Sequence, residues 1–250
     1  MERSKHTLKR LVALIIILCS VPDLYAESHR KIVYNAFINR EMNKWGNIIH
    51  SIETNNPPTT IDQKIELINY YYGYIGYLIG QKKYETAQSY IVKGEKLITQ
   101  ILHASPNNAT TYAFKGSFIG FRIGISKFKA IYLGPESLGY IEKALELDPQ
   151  NVQGTIDRGN VFFYAPGIFG GDKNEALNLY LRAAKQIEKS KDTDQNWAYL
   201  NLLTTIGIAF DKLNRPNEAK LIYEKILRKE PNFRWVKEEL YPKLLARNKK

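Results

Sequence analysis

The sequence predicts an all-α protein, a solenoid of about four helical hairpins with a leading helix before them and a C-terminal capping helix after them. Two observations carry that expectation. From Leu200 to Phe233, Gly207 is followed in helical register by Phe210, Ala219, Tyr223 and Pro231, with Leu203 and Ile206 just before it. Small Gly207 and Ala219 let two helices approach, and Phe210 and Tyr223 fill the space beside them. Pro231 ends the second helix because it has no N–H to donate and crowds the preceding turn. The second observation is punctuation: Ser105-Pro106-Asn107-Asn108, Asp148-Pro149-Gln150-Asn151 and Glu230-Pro231-Asn232 recur between apolar, helix-periodic stretches. One hairpin cannot bury its own apolar face, so neighbours must stack on it.

Residues 1–26 read as a targeting segment. Arg3, Lys5, Lys9 and Arg10 form a basic start, Leu11 to Leu18 an apolar core, and small Ala26 a cleavage position. That core is too short to cross about 30 Å of hydrocarbon as a helix, so the mature chain is expected to have no transmembrane span and to be exported, periplasmic or secreted. Bulky Leu18 ahead of Cys19 disfavours lipoprotein anchoring. Residues 27–58 hold the leading helix, with Ile32, Ala36, Trp45, Ile48, Ile49 and Ile52 at helical intervals and Asn55-Asn56-Pro57-Pro58 as its stop.

The repeat domain and its cap occupy 59–250. In the first hairpin a helix opened by Thr60 carries Tyr70, Tyr71, Tyr72, Tyr74 and Tyr77, and its partner is built on Ala87, Ile91 and Gly94. Tyr70, Tyr74 and Tyr77 share a face that packs in the array, while Tyr71 and Tyr72 point elsewhere, into the core or into a groove. The second hairpin has Gly116, Ile141 and Ala144 in the corresponding places, with extra length between Phe118 and Gly134. The third has Gly159, Phe162, Ala176, Tyr180 and Ala183, with its extra residues in Pro166 to Gly171. After the fourth hairpin, Phe233 to Ala246 gives the capping helix through Trp235, Leu240, Leu244 and Leu245.

The order of small, aromatic and proline positions in the fourth hairpin resembles the tetratricopeptide repeat (TPR), whose unit is about 34 residues. The resemblance spans Thr60 to Phe233 and is clearest in the fourth hairpin. It implies a non-catalytic adaptor that holds a protein or peptide on a concave surface lined by the first helix of each pair. On that pattern Gln153, Ile156, Asn160 and Phe163 of the third hairpin and Asn201, Thr204, Ile208 and Asp211 of the fourth face the partner. The stretch Gly170 to Leu177 also resembles helical-repeat accessory proteins of tripartite periplasmic transporters, which implies a bound solute instead.

No residue set for catalysis, a cofactor or a metal emerges. His6, His29, His50 and His103 lack the spacing a zinc site needs. The turn Ile168 to Lys173 lacks the phosphate-loop pattern, and the paired carboxylates sit among Lys and Arg on helix surfaces. The chain has a formal charge of +11. Its cations are scattered among acids except in the tail, where Lys243, Arg247, Lys249 and Lys250 suit weak attraction to anionic surfaces; no groove-reading motif points to nucleic acid. Phe169 is the one aromatic residue in the long third turn, and is expected either to serve as a binding ledge or to fold back on Phe162 and Phe163. The targeting assignment has a direct check. Mass spectrometry of the exported chain should find Glu27-Ser28-His29 at the N-terminus and an unchanged location for Cys19→Ser, whereas a lipid-linked product cut before Cys19 would refute it.

Overall fold

The structure is a computed structural model that describes residues 29–247; residues 1–26, read above as a targeting segment, Cys19 among them, and the tail residues Lys249 and Lys250 lie outside the described residues. Helix α1 covers 29–39 and α2 Met42–Asn55. Four antiparallel hairpins follow: α3 (Ile61–Gly80) with α4 (Tyr84–Ala104), α5 (Ala109–Ile125) with α6 (Ala130–Leu147), α7 (Val152–Tyr164) with α8 (Lys173–Ser190), and α9 (Trp197–Lys212) with α10 (Pro216–Lys229). A π-helical turn, Trp235–Leu240, leads into α11 (Tyr241–Arg247). Among the described residues no strand forms.

The first helix of each hairpin starts on a side chain that accepts from the free N–H groups of its first turn. Thr60 and Gln63 make a reciprocal capping box, and Asn108, Asn151 and Asn196 accept from Thr111, Gly154 and Tyr199. Asn108 and Asn151 of the punctuation are therefore helix starts. The close approaches fall where expected. A Cβ on Gly159 would lie 2.6 Å from the Tyr180 ring, and one on Gly207 would fall inside the Tyr223 ring.

Successive hairpins stack in the same sense. Asn151 at the start of α7 donates to the Thr110 hydroxyl at the start of α5 (3.0 Å), and Gly124 near the end of α5 lies against Ile79 at the end of α3. Helix α3 packs on α5 and α5 on α7, so these first helices form the inner layer, and α9 follows against α8. All turns within hairpins consequently lie along one edge of the array, and all turns between hairpins along the other. Hairpins one and four close with short turns in which Lys82 and Asn214 adopt left-handed φ of 57° and 56°. Hairpins two and three use longer connections containing the 3-10 turns Lys127–Lys129 and Gly167–Phe169.

Two elements differ from the sequence expectation. The leading helix is broken at Arg40 (φ 60°), where the Glu41 N–H reaches back to the Ala36 carbonyl (2.8 Å) and terminates α1. The capping helix widens to a π turn because Pro242, just beyond it, has no N–H for the carbonyl four residues back.

The break at Arg40 lets α1 turn away from the array and meet the last hairpin. Trp45 and Trp197 meet edge to face at 4.9 Å, and Phe37 touches Trp45, Trp197 and Phe233. The Trp45 indole N–H donates to the Tyr70 carbonyl (3.1 Å). Gly73 of α3 leaves room for both indoles, since a Cβ there would sit 2.6 Å from Trp197 and 2.7 Å from Trp45. At the rim of this cluster Arg30 pairs with Asp192, Tyr34 donates to Glu230 (3.0 Å), and Arg40 pairs with Glu239.

The glycines give a paired test. Gly207→Ala must displace Tyr223 and should destabilise by about 1–3 kcal/mol, whereas Gly139→Ala, in an open and exposed stretch of α6, should stabilise by roughly 0.5–1 kcal/mol. Thermal melts should shift in opposite directions, about 2–4 °C for each kcal/mol.

Candidate functional site

The inner layer is where the resemblance places a binding surface, and its centre is a buried polar cluster. Asp157, in the middle of α7, is buried. Its carboxylate accepts from the Tyr72 hydroxyl of α3 (3.1 Å), from the Gln153 side-chain amide one turn earlier (2.8 Å) and from the Asn160 amide (3.3 Å), with the Ser117 hydroxyl of α5 also facing it. Asn160 donates to the Tyr72 oxygen (3.2 Å) and accepts from the Tyr180 hydroxyl of α8 (2.8 Å). Four helices thus share one hydrogen-bond chain.

Burial dominates the electrostatics. It pushes the Asp157 carboxyl up to about 7 in spite of its donors. Burial, reinforced by the nearby carboxylate, raises the Tyr72 and Tyr180 hydroxyls above their ordinary range, so both act as neutral donors. Among the described residues no group of His, Cys, Asp and Glu is placed to hold a metal ion.

The nine residues singled out from the sequence fall into distinct settings. Gln153 and Asn160 do point toward the inner side, but their amides are engaged by Asp157 and Tyr72. Ile156 is half-buried against the core, and Phe163 packs on Tyr164 and Tyr180. On α9, Asn201 and Ile208 are half-exposed. Thr204 corrects the expectation: it is buried, with its hydroxyl donating to the Leu200 carbonyl (2.8 Å), because the helix turns that position into the hairpin interface. Asp211 is covered by Arg247 of α11. Phe169 does not fold back on Phe162 and Phe163; it is 71% exposed, held out by a turn in which Gly170 takes φ 83° and the Asp172 N–H bonds the Phe162 carbonyl (3.0 Å). Tyr72 points into the polar cluster and Tyr71 is buried, donating to Glu53 (2.6 Å). Asp157 itself was missed by sequence reasoning, although Gln153, Asp157 and Asn160 share one helix face.

The chain is similar to TTC0263, a thermophilic TPR protein of Thermus thermophilus, at a TM-score of 0.50 and 13% identity, over 83% of this chain and 90% of that one. The fold is that of a TPR protein. Similarity to the MamA protein has a TM-score of 0.38 at 14% identity, over 85% of this chain and 97% of that one. No protein-family model matches the sequence, and no curated protein matches it. The TPR-like array departs from an open solenoid in two ways. Its inner layer is crossed by the Tyr72 to Asp157 hydrogen bonds, and its ends meet at Trp45 and Trp197.

The cluster makes stability depend on pH. Because the folded-state value for Asp157 lies above its ordinary 3.8, the protonated fold is favoured, and that advantage, full below about pH 4, is lost as pH rises through about 7. Relative to Asp157→Asn, the parent should therefore lose melting temperature between pH 4 and pH 7 and hold a constant offset above. Parallel melting curves across that range would show that the carboxyl does not titrate as its surroundings require.

Proposed function

We propose that the protein is a non-catalytic, exported scaffold that holds a protein or peptide partner on the inner face of its last two hairpins. The observation that carries the reading is the set of half-exposed side chains on α7 and α9, where Ile156, Phe163 and Ile208 accompany the amide of Asn201 and the side-chain carbonyl of Gln153, whose NH2 group is held by Asp157. Apolar groups interspersed with amides on rigid helices suit the anchoring of an extended peptide, whose main chain needs hydrogen-bond partners. The buried cluster beneath them fixes the helices and so lowers the ordering cost of binding. The TPR-like fold supports the reading, and export rests on the basic and apolar pattern of residues 1–26.

Affinity purification of the mature chain from envelope extract tests it. A protein partner should be recovered with the parent, and the captured partner should bind Ile208→Asp about tenfold or more weakly while melting changes little, because Ile208 is not fully buried. Recovery of a tightly held metabolite and no protein would favour the solute-binding transporter role instead.

A further inference from the structure

Among the described residues, four of the five most exposed large apolar side chains lie in or next to the turns within hairpins, and the fifth, Tyr164, ends α7 just before one of them. Phe128 is 90% exposed, Ile168 87%, Ile131 82% and Phe169 71%. The turns of hairpins two and three are drawn together by the packing of α5 on α7, so the Phe128 and Phe169 turns are neighbours. None of these side chains lines the grooves on the helices; Phe128, Ile168 and Phe169 project from turns and Ile131 from the first turn of α6. The grooves of about 270 and 450 Å³ on the molecule lie elsewhere along the helices, the larger reaching this edge only through Lys129, Tyr132 and Leu133.

The same edge is basic. The turn residues joining α3 to α4, α5 to α6, α7 to α8 and α9 to α10 include Lys82, Lys83, Lys127, Lys129 and Arg215 against the single carboxylate of Asp172, which is engaged in capping α8. Among the described residues, none of the four lysines has a carboxylate at ion-pair distance; Glu85, Glu175 and Glu218 lie in the helical turns that follow, and Glu218 is held by Arg215. On the opposite edge the acids of the turns are already engaged, Asp192 with Arg30 and Asp194 with Lys229. Phe128 stands between Lys127 and Lys129.

We propose that this edge docks on an anionic lipid bilayer. The four apolar tips enter the headgroup and upper acyl region, while the unpaired lysines meet lipid phosphates. A fluid lipid surface accepts projecting apolar tips without a preformed pocket, and flanking cations attract it. A second copy meeting edge to edge would instead set unpaired lysines against one another. Docking in this way leaves the inner face of α7 and α9 free, so it is independent of the scaffold reading.

Vesicle flotation decides the matter, using the full chain purified from producing cells and vesicles of equal parts phosphatidylglycerol and phosphatidylcholine, with pure phosphatidylcholine as the comparison. The parent should float with the anionic vesicles and much less with the neutral ones. Lys127→Glu/Lys129→Glu should lower partitioning at least twentyfold, since each basic residue near such a surface is worth about fivefold. Phe128→Ser/Phe169→Ser should abolish flotation with unchanged melting, and Lys185→Glu, exposed in the middle of α8, should float like the parent. Flotation of both double variants at the parent level, or none by the parent, would overturn the proposal. Vesicle-independent self-association that the same variants abolish would reassign the edge to contact between copies.

Discussion

Four aromatic rings hold the two ends of the chain together, and the rest of the architecture depends on that contact. Phe37 and Trp45 come from the leading helices, Trp197 from the start of the last hairpin and Phe233 from the segment beyond it. Large aromatic surfaces in edge-to-face contact supply burial and a preferred geometry together. The cluster fixes where α1 lies and seats the start of α9 on α3, because both indoles use the space that Gly73 leaves.

The polar cluster sits where α3, α5, α7 and α8 pack on one another, and a purely apolar filling would set no register among them. The chain from Tyr180 through Asn160 and Tyr72 to Asp157 and Gln153 does, because each bond is satisfied only in one alignment. The inner face therefore has two layers: a sealed polar layer of Asp157 and Tyr72, and a half-exposed row on α7 and α9.

Local features were legible in the sequence. The hairpins, the small residues at Gly159 and Gly207 and the long third turn all follow from spacing, since each depends on residues within one or two turns of chain. The contacts that were not legible join residues far apart or use a residue against type. Nothing near Arg40 marks it for a left-handed conformation, which glycine or asparagine ordinarily takes. Trp45 read as a core residue of the leading helix, and nothing in the sequence around Trp197 signals that the two meet. The candidate site was partly legible: helical spacing placed Gln153 and Asn160 inward but put Thr204 on the surface, because the width of the buried stripe on α9 is set by both neighbouring layers. Pro242 did carry a signal for the π turn, visible once a proline is weighed against the helix around it.

The contact of α1 with the last hairpin changes how such an array comes apart. A linear stack of repeats is held by nearest-neighbour interfaces, so its terminal units fray first and intermediates with some repeats folded are populated. Here the residues that would fray, Tyr34, Phe37 and Arg40 at one end and Glu230, Phe233 and Glu239 at the other, are one another's partners across sequence separations above 190. Neither end can open alone without exposing the indoles at the centre. The two ends of the closed array should therefore unfold together, and amide protons buried in the first and last helices should exchange with similar protection. Folding of the array must also wait for a long-range closure that an open solenoid does not need.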